Sequence, residues 1–101
     1  MNAKLKKKFR AIGHQLRPSV TVAGKGLSDS VLTEINRALD DHELIKVKIL
    51  SNRIERAKVI GRISQLEATE VIQIIGGIIL IYRPSREPRP TLSNILRAKL
   101  L

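Results

Sequence analysis

The sequence predicts an α/β fold, an α+β sandwich whose elements run α-β-α-β-α-β-β around a four-stranded mixed sheet. Three observations predict it. Segments with apolar residues at helical spacing alternate with short β-rich runs of alternating polarity. The last two β-rich runs are separated only by Gly76-Gly77, a two-residue hairpin connection. The chain has 101 residues, 43% of them hydrophobic, which suits one modest core. Strands separated by helices are expected to pair in parallel through right-handed crossovers. The final hairpin adds an antiparallel pair, with the helices expected mainly on one side of the sheet.

Residues 4–16 place Leu5, Phe9, Ile12 and Leu16 at helical spacing, the mark of an amphipathic helix. Lys6, Lys7 and Arg10 fall off that stripe and Lys8 lies beside it. Arg17-Pro18 ends the helix, because a residue before proline avoids helical geometry. Residues 19–23 form a short strand with Val20 and Val22 on one face. Gly24-Lys25-Gly26 makes a turn, Ser28 an N-cap, and Asp29 stands in the first turn of a second helix. That helix runs to about Asp41 and buries Val31, Leu32, Ile35, Ala38 and Leu39. Residues 44–50 are the clearest strand. Ile45, Val47 and Ile49 share an apolar face; Leu44, Lys46, Lys48 and Leu50 share the other, an open face with two lysines in its middle.

Asn52, with Glu55 three positions on, is a variant capping box. It opens a third helix over residues 53–67 with Val59, Ile60, Ile63 and Leu66 inward. Gly61 inside it costs about 1 kcal/mol. Residues 70–75 and 78–83 are the hairpin strands. After Tyr82 the chain becomes basic and extended through Arg83-Pro84, Arg86 and Pro88-Arg89-Pro90. Residues 91–101 form a short terminal helix, with Leu92, Ile95, Leu96 and Leu100 at helical spacing.

Nineteen Lys and Arg face nine Asp and Glu, a net charge of +10. Such an excess on a short chain favours a polyanionic partner, and on charge alone RNA, DNA and an anionic membrane all qualify. The charge is uneven. Residues 1–18 carry six basic side chains and no acid, whereas residues 19–43 carry two basic and five acidic ones. Residues 44–82 carry six and three, and residues 83–101 five and one. A partner is therefore expected at the first segment, part of the third and the tail, with Asp40, Asp41 and Glu43 facing away. No apolar run approaches the roughly 20 residues of a membrane span, and the interrupted stretch 9–16 is no signal-peptide core. The absence of cysteine removes disulfides and thiolate chemistry and leans toward a reducing cytoplasm.

The residue inventory argues against an enzyme. His14 and His42 are the only histidines, and no metalloprotease, nucleophile-elbow or Walker motif is present. No catalytic residue, metal, cofactor or small-molecule substrate is expected. Gly24-Lys25-Gly26 is different. It lies between a strand and a helix N-terminus, where free backbone N–H groups and the helix dipole favour anions. Glycines admit a phosphate close to the backbone, and Lys25 adds a full charge. Phe9 belongs to the core, which leaves Tyr82 as the only stacking platform. Sheets and barrels that stack bases need several aromatics, so the expected mode is phosphate clamping at a glycine loop, as in KH-type binding.

The stretches Leu16-Arg17-Pro18, Val20 to Val22, Gly26-Leu27-Ser28-Asp29, INRALDDHELIKVKI over residues 35–49, Gln73-Ile74-Ile75-Gly76 and Leu80-Ile81-Tyr82-Arg83-Pro84 together resemble the CRM domain family (chloroplast RNA splicing and ribosome maturation). The likeness is to its stand-alone bacterial YhbY-like form and covers about residues 3–86. It implies a fold similar to the C-terminal domain of bacterial initiation factor three. It also implies RNA binding, with bacterial members associated with precursors of the large ribosomal subunit, and a GxxG loop that contacts RNA. Here that loop is Ala23-Gly24-Lys25-Gly26, so alanine stands at its first position. A basic residue common near the hairpin turn is replaced by Gly77 and Ile78.

The expected organisation is an RNA-binding domain over residues 1–86 and a basic tail over residues 87–101. The expected RNA contacts are Ala23, Gly24, Lys25 and Gly26, then Lys6, Lys7, Lys8 and Arg10 as a second basic surface, extended by Lys46, Lys48, Arg53 and Arg56. The expected function is non-enzymatic binding of ribosomal RNA during large-subunit (pre-50S) assembly in the cytoplasm, with no membrane partner. The alternative from another class is a structural ribosomal or protein-interaction component that docks through its terminal helix.

Overall fold

A computed structural model describes residues 1–24 and 26–99. Its elements are α1 (Ala3–Gly13), β1 (Pro18–Ala23), α2 (Asp29–His42), β2 (Leu44–Leu50), α3 (Arg53–Ser64), β3 (Glu70–Ile75), β4 (Ile78–Tyr82) and α4 (Asn94–Lys99). Lys25, Leu100 and Leu101 lie outside the described residues, and with them the expected loop lysine and the last position of the terminal stripe. Caps start the helices as the local chemistry requires. Ser28 Oγ accepts from Val31 N–H and Asn52 Oδ1 from Glu55 N–H, each satisfying a donor that the first helical turn leaves free.

The four strands lie in the order β1-β2-β4-β3. β1 and β2 run parallel, whereas β4 is antiparallel to both β2 and β3. The hairpin therefore inserts its second strand at the centre and leaves β3 at the edge. Burial explains the order. Ile79, Leu80 and Ile81 of β4 are all buried, as are Leu44 and Ile45 of β2. A strand apolar on both faces belongs where both faces are covered. β1 and β3, which bury fewer of their residues, take the edges.

The helices do not lie mainly on one side, as the sequence suggested. On one face α2 and α3 place Ile35, Leu39, Val59 and Ile63 over Val20, Val22, Ile45, Val47, Ile49, Ile79 and Ile81. On the other, Phe9 of α1 packs with Leu44, Ile72 and Leu80, joined by Ile12, Leu16, Tyr82 and Ile95 of α4. The apolar stripe of α1 needs its own surface, and the second faces of β2 and β4 provide it. Gly13 permits the close approach: a Cβ there would meet Leu80 Cδ2 at 2.6 Å.

The chain after β4 is strapped across the base of the sheet. Arg83 donates to Asn36 Oδ1 at 2.8 Å and to Asp40 Oδ1 at 3.0 Å. Glu43, which the sequence grouped with Asp40 and Asp41 as facing away from a partner, is 6% exposed. Its carboxylate accepts from Ser85 N–H at 2.8 Å and from Ser93 Oγ at 2.7 Å. His42 Nδ1 donates to Leu92 O and Asn94 Nδ2 to Leu44 O.

Tyr82, the one expected stacking platform, is half-buried against Phe9, with ring centroids 4.7 Å apart. Burial, then the charges of Glu43 and Glu70, raises its hydroxyl pKa above the usual 10.0. The folded state thus disfavours the phenolate. Its contribution to stability is complete below pH 10 and is lost as the pH climbs through the raised value. Melting curves at pH 7 and at pH 11 should show a smaller alkaline loss for Tyr82→Phe than for the wild type. Equal losses would mean that the hydroxyl titrates alike in both states.

Candidate nucleic-acid interface

Three chain segments converge at one end of the sheet. β1 and β2 are parallel, with Ala23 opposite Leu50, so the glycine turn and the β2–α3 connection emerge side by side. The β3–β4 hairpin turn arrives at the same end, because Ile78 pairs with Lys48. Ile49 N–H donates to Gly77 O at 2.7 Å and fastens that turn to β2. The N-termini of α2 and α3 therefore both open here, with their positive dipole ends.

The glycine turn is a specific shape. Gly24 has φ +58° and Gly26 φ +79°, a backbone region open to glycine at no steric cost. Ala23 ends β1 in extended, paired backbone. Alanine at the first loop position is thus accommodated, since the left-handed turns fall on residues 24 and 26. No atom would lie within 4 Å of a Cβ at either glycine, so the front of the turn is open. Its far side is anchored by buried Leu27, whose carbonyl accepts from Arg62 Nη1 at 3.2 Å. Arg62 is a positioning residue that no sequence pattern singled out; only the packing of α3 against the loop reveals it.

Behind the turn is a depression of about 160 Å³ lined by Gly24, Gly26, Leu50, Ser51 and Glu55. Glu55 holds Lys58 at 3.3 Å. A carboxylate lines this hollow, which disfavours an anion there.

The other expected contacts divide into two groups. Arg53 and Lys48 are exposed and Arg56 half-buried at the loop end. The Arg56 guanidinium would lie 3.6 Å from a Cβ at Gly77, so a cation reaches the hairpin turn from α3 although the turn itself carries none. Lys6, Lys7, Lys8 and Arg10 form a separate patch on α1. That helix starts near Glu70, which pairs with the Met1 amino group at 3.3 Å, and ends over Leu80. It therefore covers the half of the sheet farther from the glycine turn. Lys7 and Lys8 are exposed, Lys6 and Arg10 half-buried. Lys46 is not on an open face, as the sequence reading had it. It is tucked under the end of α1, where its Nζ donates to Leu16 O at 3.1 Å.

Asp40, Asp41 and Glu43 lie at the opposite pole. The 14 residues of α2 span about 21 Å, with the glycine turn at the start and Asp40 and Asp41 in the last turn. Among the described residues, no cluster of three or more His, Asp or Glu side chains suits a metal ion. No described helix is long and apolar enough to cross a membrane.

A family model described as the CRS1 / YhbY (CRM) domain matches residues 1–83. A probable RNA-binding protein of Pseudomonas aeruginosa is 44% identical over 93 residues, covering 91% of this chain and 89% of that one. An RNA-binding protein of Haemophilus influenzae is 38% identical over 90 residues, covering 88% and 91%. The solution structure of a hypothetical protein from Staphylococcus aureus superposes with a TM-score of 0.72 at 30% identity, covering 86% of this chain and 92% of that one. With the mixed sheet, the helices and the glycine turn in place, the chain belongs to the CRS1/YhbY (CRM) domain family.

Proposed function

We propose that this protein is a non-enzymatic RNA-binding factor that holds ribosomal RNA during assembly of the large ribosomal subunit in the cytoplasm. The observation that carries the reading is the glycine turn. It is open at its front, built on two left-handed glycines, and set at the sheet end where two helix N-termini meet Lys48, Arg53 and Arg56. Such a site suits a phosphate backbone, which is recognised through N–H groups and cations. A net charge of +10 and relatives named for RNA binding support RNA as the anion. Ribosomal RNA and the large subunit follow from the resemblance to YhbY-like proteins.

In this reading Lys25 and its flanking residues Ala23, Gly24 and Gly26 grip phosphates, while Lys6, Lys7, Lys8 and Arg10 make a second contact along α1. RNA affinity is expected to fall steeply with salt, with a log–log slope set by the number of phosphates neutralised. Lys25→Glu should weaken binding at least about tenfold and reduce that slope by about one, measured by fluorescence anisotropy from low to moderate salt. Unchanged affinity and slope would refute the loop assignment. Sedimentation of cell extract addresses the ribosomal part. The protein should travel with immature large subunits; equal occupancy of mature ribosomes would make it a structural component instead.

A further inference from the structure

Six large apolar side chains are exposed among the described residues: Met1, Leu5, Leu50, Ile54, Ile74 and Ile75. Single exposed apolar residues are ordinary. Four of these six, however, gather at the glycine-turn end. Two of the four, Leu50 at 51% exposure and Ile75 at 62%, lie on the sheet face that α1 only half covers. Register places Thr21, Lys48, Ile78 and Ile75 in one cross-strand row on that face. The row spans three inter-strand spacings, about 14 Å. Leu50 stands next along β2, opposite Ala23. One row nearer α1, Gly13 closes down on Leu80, so coverage stops there. A depression of about 150 Å³ at that boundary is lined by His14, Lys46, Gln73, Ile75 and Ile78, among others.

We infer that this open half-face is a shelf for unpaired nucleotides of the RNA held by the glycine turn. Leu50, Ile78 and Ile75 support base and ribose, and Lys48 meets a phosphate. The inference rests on the RNA reading above. Charge selects the occupant. Lys48 has no carboxylate partner among the described residues, so an apolar protein surface would bury its ammonium unpaired. A second copy would bring another +10 against the first. Nucleic acid supplies both a phosphate and broad, weakly polar faces. Continuity agrees, since the shelf begins at the strand pair that ends in the glycine turn. Unpaired nucleotides are required because a duplex keeps its base faces stacked and offers only edges and backbone. An aliphatic shelf makes no base-specific hydrogen bond, so it discriminates single-stranded from paired RNA and not one base from another.

The test compares a single-stranded oligouridylate with a blunt duplex RNA of equal length. Both substituted side chains are exposed, so Leu50→Ser/Ile75→Ser should melt close to the wild type; Ile75→Ser alone, on the edge strand, is the second variant. The double variant should bind the single strand about five- to tenfold more weakly and the duplex as the wild type does. Its salt slope should not change, because lost apolar contact releases no counterions. Lys25→Glu, run in parallel, separates the two claims. If it weakens binding while the serine variants bind the single strand normally, the shelf is wrong and the RNA reading stands. If the wild type binds neither RNA, the RNA reading fails. A shift in oligomeric state, with RNA binding intact, would make the face a contact between copies and overturn the inference.

Discussion

Phe9→Ala is expected to destabilise the protein by about 3–5 kcal/mol, the usual cost of emptying a buried aromatic site. At 4% exposure Phe9 is the only fully buried side chain that α1 places in the second core. Among the described residues that core has just four buried members, and the Phe9 ring also supports Tyr82 at 4.7 Å. So small a cluster has few neighbours able to collapse into the gap. A single domain of this size is stable by only about 5–15 kcal/mol, so the loss is a large share of the total. The melting temperature should fall by about 15 °C, and hydrogen exchange should accelerate through α1. Phe9→Leu, which keeps most of the volume, should cost less than half as much. A melting temperature within a few degrees of wild type for Phe9→Ala would mean that α1 is only loosely attached to the sheet.

Glu43→Ala is the second large effect, expected at about 3 kcal/mol. Glu43 caps α2 with φ +61°, a conformation that costs a side chain of this kind about 1–3 kcal/mol. Its two carboxylate bonds to the strap offset that strain. Removing the carboxylate leaves the hydroxyl proton of fully buried Ser93 and the Ser85 amide without an acceptor. Ser93 in turn caps α4 by accepting from Ile95 and Leu96 N–H, so loss at Glu43 should propagate to the terminal helix. Limited proteolysis between residues 84 and 93 should become fast, and the amides of Ser85, Ile95 and Leu96 should exchange early. Glu43→Gly, which relieves the backbone strain, should recover part of the stability without protecting those amides. If both variants leave the strap protected, the hydrogen bonds from Glu43 are not what fastens it.

Much of this was legible in the sequence because it is local. Helical stripes, strand alternation, the caps Ser28 and Asn52 and the Gly76-Gly77 turn are decided within a few residues of chain, and the structure has them, although α1 ends at Gly13 and α3 at Ser64, short of the expected residues 16 and 67, and Leu5 of the first stripe is exposed. The positions that differed depend on contacts distant in sequence. Lys46 sits on a strand face that alternation marks as polar, yet the carbonyl of Leu16, thirty residues away, draws it beneath α1. Glu43 belongs to an acidic run, yet its partners are Ser85 and Ser93. The side of the sheet that α1 covers depended on which apolar surface the other helices left free, which no periodicity states.

By itself, the sequence determined the elements and their order, the excess of positive charge, its scarcity of aromatics, and a glycine turn poised before a helix. Local propensity and composition suffice for those. Only the tertiary structure decided that β4 would enter between β2 and β3 and bring the Gly77 turn against Ile49. That choice brings residue 77 to the end where the parallel β1–β2 pair already sets residues 24, 50 and 56, and leaves half a sheet face open beside them. The physical reason is two-sided burial. The strand apolar on both faces had to take the centre, and strand order, not the chain's own periodicity, determines which loops become neighbours.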